Sequence, residues 1–203
     1  MLFMENNYKY IDLNNEYTNN KGVLHNLANI EDEKILLAFE SLKVAKRVEE
    51  LIENPIKIKD SSSLLIIHHY LFQDVYQLAG KVRTVNISKD GRPFFDGERF
   101  YSAFQYIDNL IAEFKTIKTS NKKALAYKLA EILDNVNFLH PFREGNGRTQ
   151  REFLRLLALQ KGILLNLNPP DNKNIYERYM NGTINSDVEM LTELLLEQIE
   201  NKK

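Results

Sequence analysis

The sequence contains no cysteine, which excludes a disulfide framework, a thiolate metal site and a cysteine nucleophile. An excess of either charge is also missing. Twenty-seven basic residues stand against 28 acidic ones, so the footprint of a general nucleic-acid or anionic-membrane binder is absent and only a local basic pocket is left open. No window approaches the length of a membrane span, and the apolar run in MLFMENNYKYIDLNNEY is too short for a signal-peptide core. The cytoplasm is the expected compartment, and nothing in the sequence speaks against export into a host cell. Internal repeats, low-complexity blocks and Gly/Ser linkers are lacking, so the 203 residues, 43% of them hydrophobic, are expected to form one domain over 1–203.

What is present is mostly helical patterning. Residues 1–30, rich in Asn and Tyr without a clean period, read as an extended or loosely structured arm packed on the domain. From Glu31, the residues Ile35, Phe39, Leu42, Val48 and Ile52 follow helical spacing until Asn54-Pro55 ends the run. Ser61–Ser63 can cap a second helix carrying Leu64, Ile67, Leu71 and Phe72, expected to reach about Leu78 and stop at Ala79-Gly80. The one β signal is VRTVNISKDGRPFF, where Val85 and Ile87 alternate with polar residues and Asp90-Gly91 suits a tight turn. Pro93 cannot donate to a ladder, so at least one edge of this hairpin is expected to stay unpaired. Helical periodicity resumes over 97–114 and again from Asn121 through Leu125, Leu129, Ile132 and Val136. A further helix runs through Phe153, Leu156 and Leu157 to Gly162, and Ser186 with Glu189 reads as the capping box of a last helix ending near Ile199. The expected fold is all-α: a compact helical bundle with one β-hairpin.

The densest chemistry lies in HPFREGNGRTQREF, residues 140–153. His140 precedes a proline, which pushes it out of the helical region and ends the preceding helix at the mouth of a loop. Phe142 is placed to anchor that loop in the core while Arg143 points away. Gly145, Asn146 and Gly147 come just before a helix, where backbone N–H groups can converge on an anion at the positive end of the helix dipole. Arg148 and Arg151 share a face in the first turns of that helix and suit a di- or triphosphate, because each guanidinium can fork onto phosphate oxygens. Glu144 is an oxygen ligand beside those phosphates, and Mg²⁺ uses one or two carboxylates plus phosphate oxygens. His140 alone has an ordinary pKa near neutrality, which makes it the natural general base.

Residues 140–151, HPFREGNGRTQR, match the signature HPFx(D/E)GN(G/K)RxxR at every specified position, and the chain resembles the Fic family. Upstream, His68, Leu71, Phe72, Asp74, Tyr76, Ala79, Gly80 and Arg83 stand at the places expected of the family's lead-in, with Leu78 where an aromatic is frequent. Asn20, Lys21, Gly22 and Val23 are similar to the N-terminal segment of bacterial Fic toxins. The resemblance divides the chain into an arm (1–30), a Fic core (60–162) and C-terminal helices (163–203).

The resemblance implies transfer of AMP from ATP to a Tyr, Thr or Ser hydroxyl of another protein. His140 would deprotonate the hydroxyl, Glu144 would hold Mg²⁺ against the α and β phosphates, and Asn146 would help position the α phosphate. The Gly145 and Gly147 backbone would cradle oxygens, Arg148 would grip the outer phosphates and Arg151 would orient the γ phosphate. Residues 84–95 occupy the place of the family's flap, which docks the target by strand pairing, with Thr84, Val85, Asn86, Ile87, Ser88 and Lys89 as the docking strand. Glycine at 147, where one branch has lysine and phosphorylates, favours nucleotidyl transfer. Type II topoisomerase subunits are targets of bacterial Fic toxins and are the expectation at family level. The inhibitory pattern (S/T)xxxE(G/N) is absent: Glu53-Asn54 is preceded by Glu49, and Glu200-Asn201 by Leu196, at the hydroxyl position. A separate small antitoxin docking near Arg151 is therefore expected. Removal of AMP, phosphorylation, phosphocholine transfer and a non-catalytic nucleotide- or protein-binding module are the competing readings.

Overall fold

A computed structural model describes residues 8–9, 16–89 and 91–200 of the chain. Seven helices dominate it: α1 (Glu33–Glu53), α2 (Ser63–Phe72), α3 (Phe100–Thr116), α4 (Lys122–Leu139), α5 (Asn146–Leu159), α6 (Lys173–Asn185) and α7 (Val188–Glu200). No helix among the described residues is long and apolar enough to cross a membrane. Helix α4 is the centre of the packing and lies against α3, α5, α6 and α7, while α2 bridges α1 and α5. It carries Leu125, Leu129, Ile132 and Val136 inward, as their spacing predicts, and starts where the Asn121 side chain accepts from the Ala124 N–H at 3.2 Å.

Helix α1 forms where expected, capped by Asp32 accepting from the Ile35 N–H, but it turns a different face to the core. Leu36, Glu40, Val44 and Leu51 are buried, whereas Ile35, Leu42 and Ile52 are 59%, 70% and 62% exposed. The inward stripe keeps helical spacing and contains a glutamate, so its apolar character is interrupted in the sequence. Helix α2 ends at Phe72, short of Leu78. The chain then coils back through turns to Gly80, whose φ of +80° places its N–H on the imidazole of His68. Ser62 makes no side-chain cap; Asp60 takes its N–H and hydroxyl instead. At the last helix the cap is Asp187, accepting from the Met190 N–H at 2.9 Å, because Ser186 is taken up in the left-handed turn that closes α6.

The hairpin is present and small. Strand β2 (Ser88–Lys89) pairs antiparallel with β3 (Arg92–Pro93), with Gly91 at φ +78° in the turn; Asp90 lies outside the described residues. Pro93 sits on the edge strand, as its missing N–H predicts. The arm adds a third strand that the sequence did not announce: β1 (Tyr8–Lys9) pairs antiparallel with the other side of β2, giving the order β1-β2-β3. The rest of the described arm packs on the body, with Val23 buried and the Leu27 N–H bonded to the Val75 carbonyl.

Leu129 is fully buried in α4 and Leu42 is largely exposed on α1. In urea unfolding, Leu129→Ala is expected to lose about 2–5 kcal/mol. Leu42→Ala should stay within about 0.5 kcal/mol. Equal losses would show that α1 packs on the face the periodicity first suggests.

Candidate active site

The motif loop begins where α4 ends, at His140. The residue leaves the helix as expected of one before proline, yet through the left-handed region (φ +43°, ψ +58°) instead of extended backbone. A non-glycine residue there is strained, and neighbours hold it. The Arg83 guanidinium donates to the His140 carbonyl at 2.9 Å, and the Arg83 N–H donates to the Pro141 carbonyl at 2.8 Å. The imidazole Nδ1 lies 3.0 Å from the Asn137 carbonyl, which can only accept, so Nδ1 carries the proton and Nε2 keeps a lone pair. Phe94 of the hairpin stacks on the ring at 3.6 Å. Burial beneath it lowers the His140 pKa to about 3; the Asn137 bond opposes the shift and the charges of Arg83 and Lys89 add to it.

Phe142 is buried, as expected, and lies flat on His68 with ring centroids 3.8 Å apart. His68 Nδ1 accepts from the Gly80 N–H at 2.7 Å, which leaves Nε2 to donate to the Glu144 carbonyl at 3.0 Å. This neutral imidazole therefore pins the loop to α2, and burial lowers its pKa to about 4. Asn146 clamps the loop from the other end: Oδ1 accepts from the Phe142 N–H and Nδ2 donates to the Phe142 carbonyl. Both polar ends of its side chain are thus engaged within the loop. Gly145 sits at φ +80° against Phe72, where a Cβ would come within 2.4 Å of the ring. Among the described residues no side chain caps α5, so the amides of its first turn point out of the helix without a capping group there.

Around that helix start the charged groups are layered. Arg148 lies 4.8 Å over the Phe72 ring and forms an ion pair with Glu40 of α1, with Glu144 3.4 Å from its other nitrogen. Glu40 is 1% exposed, and its second oxygen accepts the Tyr76 hydroxyl. Glu144 Oε1 accepts the Gly145 N–H at 2.8 Å; burial pushes this carboxyl up, Arg148 draws it down and Glu40 raises it again. Arg151 turns to the opposite flank, over the rings of Tyr176 and Tyr179, and would lie 3.4 Å from a Cβ at Gly147. Among the described residues Arg151 has no ion pair. Arg143, expected to point away, is 8% exposed and drawn in beside Glu144, whose carboxyl its charge helps lower.

The hairpin positions divide into two groups. Thr84, Val85, Asn86 and Ile87 belong to the framework: Thr84 bonds Tyr17 and Glu16, Val85 and Asn86 receive Arg83, and Ile87 is buried. Only Ser88 and Lys89 form the strand, and the edge of β2 away from β3 is already paired with β1. Glu40, Phe94 and Asn137 carry parts of the site that sequence reading missed. The one signal for Glu40 was its place four residues from Leu36 and from Val44, on a stripe otherwise apolar.

The geometry finds its counterpart among known proteins. The Fic/DOC family model matches residues 59–158, which hold α2, the hairpin, the loop and nearly all of α5. The probable protein adenylyltransferase y4lH of Sinorhizobium fredii is 33% identical over 172 residues, 81% of this chain and 83% of y4lH. The chain belongs to the Fic/DOC family. Protein adenylyltransferase VbhT of Bartonella schoenbuchensis is 36% identical over 156 residues, 76% of this chain, which spans only 33% of VbhT. The crystal structure of BepC, a VirB-translocated effector of Bartonella tribocorum with bound AMPPNP, covers 90% of this chain and 95% of its own, with a TM-score of 0.76 at 18% identity. That likeness establishes the Fic fold.

The buried imidazoles and the buried ion pair of this Fic site each lead to an expected outcome. In NMR titration, His68 and His140 should stay neutral at pH 5.5 and protonate only near 4 and near 3. Because both folded values lie below the unfolded 6.5, the stability they contribute is complete above about pH 6.5 and lost as pH falls toward 4. Titration of either ring near 6.5 would refute the burial argument. For the ion pair, a double-mutant cycle of Glu40→Ala with Arg148→Ala should give a coupling of about 1–3 kcal/mol. Strict additivity in chemical unfolding would show that the two groups do not depend on each other.

Proposed function

We propose that this chain transfers AMP from ATP to a Tyr, Thr or Ser hydroxyl of another protein. The observation that carries the reading is a single one: an imidazole whose Nδ1 is protonated toward the Asn137 carbonyl, which makes Nε2 its accepting nitrogen, set at the mouth of a helix start that two arginines flank. The names of y4lH and VbhT, both adenylyltransferases, support it.

His140 takes the proton of the attacking hydroxyl on Nε2. A base whose pKa is this low is never pre-protonated at neutral pH, and a phosphate oxygen beside it raises its hold on the proton as the charge develops. The amides of Asn146 and Gly147 meet phosphate oxygens at the positive end of α5, and that of Gly145 joins them once Glu144 turns its carboxylate to a metal ion. Asn146 acts through the loop, keeping those amides in place. Arg148 and Arg151 take the outer phosphates from either flank, where their charge opposes the negative charge growing on the leaving pyrophosphate.

Glu144 suits Mg²⁺. Its carboxylate is a hard oxygen donor beside the cradle, and no group of three or more His, Cys, Asp or Glu side chains among the described residues could hold a metal without further ligands. An ion completed by phosphate oxygens and water fits that donor set, and it would neutralise pyrophosphate charge. The absent (S/T)xxxE(G/N) pattern, together with the lack of a carboxylate on Arg151 among the described residues, supports inhibition by a separate small antitoxin docking at that arginine.

Purified protein incubated with Mg²⁺, cell lysate and ATP labelled at the α or the γ phosphate separates the alternatives. The α label should enter protein, and His140→Ala should reduce it by at least about 100-fold. Entry of the γ label instead would make the chain a kinase, and ATP binding without labelling would make it a binding module.

A further inference from the structure

The end of α5 away from the motif loop carries a second set of cations. A cavity of about 500 Å³ opens there, between the segment that joins α1 to α2, the last turn of α3 and the residues just past α5, and Lys57, Lys59, Lys115 and Lys161 line it. Ile58 and Phe114, both buried, form an apolar part of its wall, and no carboxylate lines it. The neighbouring acids are turned to other partners, Asp60 to Ser62 and Glu113 to Lys128. Four positive charges thus share one concave site in a chain whose overall charge is nearly balanced.

The fold builds this cluster. Lys161 covers the end of α3, where its ammonium donates to the carbonyls of Lys115 and Ile117 at 2.7 and 2.9 Å. Lys115 donates in turn to the Lys59 carbonyl, and the Gln160 side chain to the Ile58 carbonyl at 3.3 Å. These bonds hold the joining segment on α3 and α5 and take up carbonyl oxygens that would otherwise repel an anion. An ammonium has three N–H donors, so Lys161 and Lys115 each keep at least one for a further acceptor. Lys57 and Lys59 are exposed, and their ammonium groups meet no acceptor among the described residues.

We propose that this cavity is a binding site for a free polyphosphate, the chemical class of pyrophosphate, tripolyphosphate and the nucleoside triphosphates. Such anions carry about three to four negative charges near neutral pH, which four ammonium groups balance. Lysine meets phosphate as a point charge with rotatable donors, and the planar fork of arginine, which suits carboxylates, is absent from the lining. A concave site fits a compact anion better than the backbone of a nucleic acid, which is tracked along a groove. The cavity is also distinct from the cradle: α5 runs about 20 Å from Asn146 to Leu159, and the cradle lies at its start. The proposal goes beyond the adenylyl-transfer reading and does not depend on it.

The test titrates inorganic tripolyphosphate into the full chain without Mg²⁺ and follows the backbone amides by NMR. Amides of residues 57–59, 115 and 160–161 should shift together and saturate as one site. Lys57→Ala combined with Lys59→Ala should weaken that set at least about tenfold, while the shifts at residues 145–151 stay as they are. Citrate, a carboxylate anion of similar charge, should bind the cavity at least about tenfold more weakly than tripolyphosphate. Shifts confined to residues 145–151, an unchanged affinity in the double variant, citrate binding as tightly as tripolyphosphate, or tighter binding of a short single-stranded oligonucleotide would each overturn the proposal. None of these outcomes touches the labelling of lysate protein by α-labelled ATP, so adenylyl transfer stands or falls separately.

Discussion

Glu40 reaches the first arginine of the motif from 108 residues away in sequence, and the site depends on that contact. A carboxylate that is 1% exposed loses several kcal/mol of hydration, which only close partners can offset. Arg148 and the Tyr76 hydroxyl are those partners, one on each oxygen. The pair therefore locks α1 to α5, with the end of α2 held between them through Phe72, on which Arg148 rests and against which Gly145 is pressed. Removing Arg148 would leave the buried Glu40 carboxylate with the Tyr76 hydroxyl alone, and removing Glu40 would leave Arg148 with only the longer contact to Glu144. The cradle at the start of α5 is in this sense built from α1, outside the span that the family model matches.

That contact also explains what the sequence could and could not convey. Helix α4 was legible because its buried positions are all apolar and its start carries a capping asparagine, both local signals. Helix α1 was legible as a helix but not in orientation. Its buried stripe contains Glu40, and a charge that is neutralised only in the folded state looks like a surface residue in the chain. The same holds for α2, whose length is cut by the hydrogen bond between Gly80 and His68, and for Ser186, displaced as a cap by its neighbour Asp187. A two-residue strand such as β1 has no pattern of its own and exists only by pairing with β2, some 80 positions on. The loop itself was legible residue by residue, since its chemistry is contiguous. Its supports were not, since they come from α1, α2, α4 and the hairpin.

The electrostatics of the loop follow from how little water reaches it. Two imidazoles are held neutral by burial, and in each the bond made by one nitrogen decides the state of the other. For His68 the result is a fixed strut, with both nitrogens engaged. In His140 the Asn137 carbonyl fixes Nδ1 as the protonated nitrogen, so Nε2 is the accepting one. His68 in turn keeps Glu144 and the first amides of α5 where an anion would meet them.

Arg83 joins this loop to the hairpin. Its guanidinium is buried and bonded to the carbonyls of His140, Val85 and Phe95 and to the Asn86 side chain, with no carboxylate in contact among the described residues. Burial lowers its pKa to about 10, which still leaves it charged at neutral pH, so the attraction of a full positive charge for carbonyl dipoles persists. The base and both sides of the hairpin are therefore tied to one rigid group.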